Sequence, residues 1–144
     1  MNSTMTLPTP QASDRASRTA ATAPALPLLD LLGIASLGAV IAIHTSELSG
    51  KTEETAYLGF GYVLLIAASL VAIVLIAQRD LRGWILAGLT AASTMVGFVL
   101  TRTVGLPNAT GDIGNWGEVI AIWSMLAEAI VLTLALVALR RRTV

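Results

Sequence analysis

The chain contains no cysteine, and His44 is its single histidine among 144 residues. Disulfides, cysteine-ligated zinc, iron–sulfur clusters and thiol nucleophiles are therefore excluded. So is bis-histidine haem ligation within one chain. Charge is also scarce. Only 12% of residues carry one, nine basic against nine acidic, where soluble domains carry about a quarter. With a net charge of zero and the basic residues confined to short loops and tails, there is no electrostatic footprint for nucleic acid. No HExxH, P-loop or GxGxxG motif occurs, and no nucleophile is set beside a base and its orienter. No catalytic residue, metal site or cofactor is expected.

What is abundant is apolar surface, at 55% of residues and a mean hydropathy of +0.76. It comes in blocks of about twenty residues, the length a helix needs to cross hydrocarbon. Spans at about 27–46, 57–78, 83–101 and 116–139 predict an all-α membrane protein, a four-transmembrane-helix bundle running up-down-up-down. Residues 1–26 are rich in Ser, Thr, Ala and Pro and hold too little aliphatic surface to offset ordering, which predicts a disordered tail. A cleaved signal peptide fits less well, because Asp30 interrupts the first apolar run and no A-x-A site follows His44-Thr45-Ser46.

Small residues mark the packing faces. Ala35 with Ala39, and Gly38 with Ala42, sit at four-residue spacing on span one. Gly83, Ala87 and Ala91 form a ridge on span three, with Gly88 and Ala92 beside it; such spacing lets helices approach closely. The Arg79-Asp80-Leu81-Arg82 turn is short enough to make spans two and three antiparallel neighbours. Glu47–Glu54 reads as an acidic loop. Residues 102–117 carry Gly105, Pro107, Gly111 and Gly114 and read as a second, turn-rich one. Basic residues set the orientation. Arg15, Arg18, Arg79, Arg82 and Arg140–Arg142 fall on one side, Lys51 and Arg102 on the other. Positive-inside bias then puts both termini in the cytoplasm of a multi-pass protein of the cytoplasmic (inner) membrane.

Asp30, His44, Arg102 and Glu128 lie in or at the edges of the spans, and Glu118 stands at the mouth of span four. A charge at the bilayer centre costs about 2.5–3.5 kcal/mol, so each needs a partner, a neutral form or a water path. Arg102 leaves span three at the depth where Glu118 precedes span four, which predicts an outer ion pair between them. Seven residues inward from each, about 10.5 Å, stand Met95 and Met125, expected to touch and fix the helix register. The other reading keeps Arg102 for an external carboxylate or phosphate. Exchanging Arg102 and Glu118 should restore stability if they are partners.

Glu128 lies about 15 Å below Glu118, near the midplane. Its level on span three is Ala91 and Ala92, and no basic side chain of this chain obviously reaches it. Three readings stay open: a neutral acid bonded to Ser93, Thr94 or a backbone carbonyl, a proton-carrying or cation-binding carboxylate, or a contact with a partner subunit. Asp30 and His44 share one stripe of span one with Gly33, Ile34, Leu37 and Ile41, about 20 Å apart. Asp30 suits the positive end of the helix dipole. His44, just under the outer surface, reads as an interfacial hydrogen-bonder. A copper-like site from His44 with Met95, Met125 or Glu128 is disfavoured by depth.

The Arg102-Thr103-Val104-Gly105-Leu106-Pro107 run, the Trp116-Gly117-Glu118 that follows it and the lone mid-helix Glu128 resemble a group of small four-span membrane proteins from actinobacteria. The resemblance covers roughly residues 27–139. In that group a proline often follows the glutamate that matches Glu118, where this chain has Val119. Some members also carry a more histidine-rich outer region than the single His44 here. The resemblance implies the topology and the polar positions, and no activity.

Two functions compete. The first is a non-enzymatic accessory, assembly or sensor component whose partners are the lipid bilayer and a membrane protein or a second copy of the chain. The second is a proton- or ion-coupled transport protein with Glu128 as the protonatable group. An unchanged flux in reconstituted Glu128→Gln would remove the second. An enzyme acting on lipid or a redox cofactor has only His44 and the carboxylates to use.

Overall fold

Four helices follow one another in the computed structural model, which describes residues 27–142. They are α1 (Leu28–Glu54), α2 (Ala56–Ala77), α3 (Leu81–Thr103) and α4 (Val119–Arg142). The tail expected over residues 1–26, with Arg15 and Arg18, lies outside the described residues. Each helix is long and apolar enough to cross a membrane, and together they make a multi-pass membrane protein. Each packs on the next, and α4 closes the ring on α1, giving an antiparallel four-helix bundle. One end carries the tight turn at residues 78–80. The other carries the long α3–α4 loop, residues 104–118.

The first boundary differs from expectation. Glu47–Glu54 is not a loop but two further turns of α1. Hydropathy reads these residues as a break, yet there is no proline among them, and several polar groups here bond along the helix itself. Ser46 Oγ donates to Ile43 O at 2.6 Å and Thr52 Oγ1 to Leu48 O at 2.7 Å. Lys51 pairs with Glu54 at 2.8 Å. Thr55 alone, in extended backbone, joins α1 to α2. The corner is tight because Gly59 faces Thr52 so closely that a Cβ there would run into the threonine side chain. At α4 the difference is opposite in sense, since the helix starts at Val119 rather than Trp116.

The turn end is densely packed. Asp80 caps α3, accepting from Arg82 N at 2.9 Å. Gly83 lets α3 lie against α2, with the place of its missing Cβ 2.7 Å from Ile76 N and 2.9 Å from Leu75 Cβ. Gly88 does the same toward α4, 3.2 Å from Ala135 Cβ. Between them Leu37, Ala72, Ile76, Ala87, Val131 and Ala135 are buried with almost no exposure. Trp84 crosses this core from α3 to α1. Its ring fills the space over Gly33, and its Nε1 donates to Asp30 Oδ1 at 3.3 Å. Asp30 is therefore a buried acceptor for an indole N–H as well as a first-turn acid.

Candidate functional site

The opposite end is built differently, beginning with how α3 stops. Val104 N and Gly105 N both donate to Leu100 O, at 3.1 and 2.9 Å. Gly105 has φ +75°, a conformation glycine adopts at little cost. Leu106-Pro107-Asn108-Ala109 then closes on itself through paired backbone bonds of 3.0 and 2.9 Å. Asn108 stands at φ +57°; proline followed by an αL asparagine is the order a type II turn requires. The turn is tied to α2 by Tyr57 Oη, which donates to Pro107 O at 2.8 Å.

Arg102 anchors the loop. The last turn of α3 suits a cation, and the guanidinium lies 5.1 Å from the Phe98 ring centroid. Phe98 in turn meets Trp116 edge-on at 5.9 Å. Arg102 Nη2 donates to Glu118 Oε2, and Nη1 lies 2.8 Å from Asp112 Oδ1. Asp112 also takes Lys51 Nζ at 2.9 Å on its other oxygen. One loop carboxylate thus bridges α1 to α3; sequence reasoning passed over Asp112 and used Lys51 only for orientation. The available signal was that Asp112 is the single acid between Arg102 and Glu118, held in a Gly-Asp-Ile-Gly turn.

Burial by itself would lift the Asp112 carboxyl, but the bonds to Lys51 and Arg102 outweigh it and hold the group below the ordinary aspartate value. A carboxylate held low stabilises the docked loop above its ordinary pKa, and that contribution is lost as pH falls through the lower, folded value. Thermal stability in detergent should therefore drop on acidification below about pH 4. Asp112→Asn should start less stable and lose less over the same range.

Beneath the loop lie His44 and Glu128, 4% and 1% exposed. His44 Nε2 stands 3.5 Å from Glu128 Oε1. This corrects the expectation that no basic group of the chain reaches Glu128 and that His44 sits just under the surface. The cause is the longer α1. His44 is ten residues from Glu54, about 15 Å down the helix, which is the depth of Glu128 below Glu118. Val40 O accepts from His44 Nδ1 at 2.9 Å, and Tyr62 packs on the ring at 5.0 Å between centroids. Ser124 Oγ lies 3.5 Å from the same Glu128 oxygen. Ser93 and Thr94, expected as partners of Glu128, instead bond to Thr90 O, both at 2.9 Å.

His44, Glu128 and the rim charges line one cavity of about 680 Å³. It exists because the helix faces that meet here carry Gly61, Ala68, Thr90, Ser93 and Gly97, which leave volume unfilled. Its walls are mainly apolar, with Leu58, Leu65, Ile120 and Ala121 among them. Leu64 and Leu89, 59% and 65% exposed on the outside of the bundle, also border it. The cavity therefore reaches the side of the bundle between α2 and α3, within the apolar spans of both helices. Met95 lies elsewhere. It shares a shallow apolar depression between α3 and α4 with Met125, which also borders the cavity. Asp30 is at the other end of the bundle. Among the described residues no three His, Asp or Glu side chains converge as metal ligands would.

The site thus combines a charged rim, a polar floor and apolar walls that reach the outside of the bundle between α2 and α3. No family model matches the chain, and no curated protein or solved structure matches it either.

Proposed function

We propose that this protein is a non-enzymatic component of the cytoplasmic membrane that binds a small lipid-soluble molecule, in an accessory or sensor role. The observation that carries the reading is the cavity of about 680 Å³ with apolar walls, a buried His44–Glu128 floor and a mouth between α2 and α3. That volume is in the range of ligand pockets, which commonly lie between the helices of bundles. Ser124 turns its hydroxyl to the Glu128 carboxyl rather than to the imidazole, at the long distance of 3.5 Å, so it does not form the serine–histidine pair of a nucleophilic hydrolase. Arg79, Arg82, Arg140 and Arg141 gather at the turn end, which supports placing that end in the cytoplasm and the cavity in the outer leaflet.

Glu128 also suits a transport reading, as a buried protonatable group. The lower half of the bundle speaks for a one-sided chamber instead. Among the described residues the buried side chains between Glu128 and Asp30 are apolar except for Ser69, which offers an ion no series of polar groups to follow.

The test uses the cavity's own glycines. A Cβ at Gly61 or Gly97 meets nothing within 4 Å, so leucine at either position fills the cavity without straining the helices. In native mass spectrometry of protein extracted from its own membrane in mild detergent, the parent should retain a small amphiphile. Gly61→Leu and Gly97→Leu should lose it, with stability held or raised by about 0.5–1 kcal/mol from the removal of a helical glycine. Parent and filled variants carrying the same molecules in the same amounts would overturn the reading.

A further inference from the structure

We infer that the molecule held in this cavity is a neutral lipophile bearing a hydroxyl group, an alcohol or a phenol, whose O–H donates to Glu128 Oε2. This rests on the cavity being a small-molecule site, as proposed above, and adds the chemistry that selects the occupant.

The argument starts from Val40. Its carbonyl can only accept, so the His44 nitrogen 2.9 Å away, Nδ1, carries a proton. That leaves Nε2 facing Glu128 Oε1 at 3.5 Å. With no proton between them, a ring lone pair would point at a buried, uncompensated carboxylate, a costly arrangement away from water. One proton therefore sits between the facing atoms, on Nε2 or on Oε1, and the pair is neutral overall in both cases. Ser124 approaches Oε1 as well. Glu128 Oε2 is buried and has no hydrogen-bond partner among the described residues. With that proton between Nε2 and Oε1, Oε2 keeps its lone pairs, on a side chain that lines the cavity.

Such an oxygen selects for a donor. A ketone, quinone, ester or ether would bring a second acceptor against it and leave both unsatisfied, which costs more than a missing contact gains. An ammonium ion would give up its hydration for a neutral pair, with Glu54, Asp112 and Glu118 already engaged by Lys51 and Arg102, so that Glu47 is the one rim carboxylate among the described residues left to meet it. Nor do the threonine and serine hydroxyls of α3 at this level compete for the role. Thr90, Ser93 and Thr94 donate to carbonyls of their own helix. The apolar walls and the mouth between Leu64 and Leu89 then accommodate the alkyl part.

A matched pair of probes isolates the donor. 4-Nonylphenol and its methyl ether differ only in that proton, and their binding to the full chain in nanodiscs can be read by thermal shift and native mass spectrometry. The phenol should bind about tenfold more tightly than the ether, the worth of one buried hydrogen bond. In Glu128→Gln, whose amide can turn a donor to the cavity, the ratio should fall to about one. Should that variant fail to fold, the parent's ratio still decides the matter. Equal binding of both probes by the parent, abolished by Gly61→Leu, would overturn the donor requirement and leave the cavity reading standing. Binding of neither probe would remove both. Decylammonium bound more tightly than the phenol would overturn the inference in favour of a cation held by Glu47 and Glu128.

Discussion

Arg102→Ala is expected to lower stability by about 3 kcal/mol, the low end of the cost of breaking a buried ion pair from one side. The Arg102 side chain is 4% exposed, while its partners Asp112 and Glu118 keep some contact with water at 23% and 35%. Partial hydration of the carboxylates is what keeps the figure from the top of the range. Arg102→Lys should recover less than half of the loss, because an ammonium cannot address both carboxylates through a planar fork. The exchange of Arg102 and Glu118, which would restore an isolated pair, should not restore this one. It sets a glutamate at 102 beside Asp112, in exchange for an attraction that Asp112 had enjoyed. Adding Asp112→Asn to the exchanged pair should then recover stability. Unfolding in mixed micelles at matched detergent composition measures all four variants. Full rescue by the simple exchange would mean that Asp112 contributes nothing to holding the arginine.

The second large effect belongs to the turn end. Trp84→Ala should cost about 3–5 kcal/mol, the usual range for emptying a buried tryptophan site. Here the loss is mostly packing and one hydrogen bond, since lipid tails are as apolar as the core. Trp84→Phe separates the two contributions. It keeps much of the ring volume but leaves Asp30 buried without the indole donor, at about 1–3 kcal/mol. Gly33 supplies the sign test. In the parent, Gly33→Val drives a side chain into the indole and should destabilise by about 1–3 kcal/mol. In the Trp84→Ala background the same change fills space and should stabilise. If Gly33→Val has the same sign in both backgrounds, the two residues are not packed as described.

Much of the architecture is legible in the residues themselves. Apolar blocks of about twenty residues, separated by Arg79-Asp80 and by the glycine-rich loop, specify four crossings because only helices satisfy their own backbone in hydrocarbon. Arg102 and Glu118 are legible as partners because each stands at the end of a crossing, where helix rise fixes relative depth. The continuation of α1 is not legible by hydropathy. Ser, Thr, Glu and Lys look like loop residues, although their hydroxyls and charges bond along the helix. That misplacement carried His44 too near the surface and hid its pairing with Glu128. The cavity was beyond reach for another reason. A void is a property of which small side chains face one another across helices, and Gly61 and Gly97 acquire that meaning only once α2 and α3 are set side by side.

The spacing of the connections bears on how the bundle is assembled at the membrane. One residue joins α1 to α2, and residues 78–80 join α2 to α3, so the first three helices have no slack to enter separately or to exchange neighbours. All the freedom of assembly rests in the last connection. The arrival of α4 is therefore the committing step, at which an unaccompanied acid in lipid finds the waiting imidazole. A chain that stalls before that point would leave both groups unpaired.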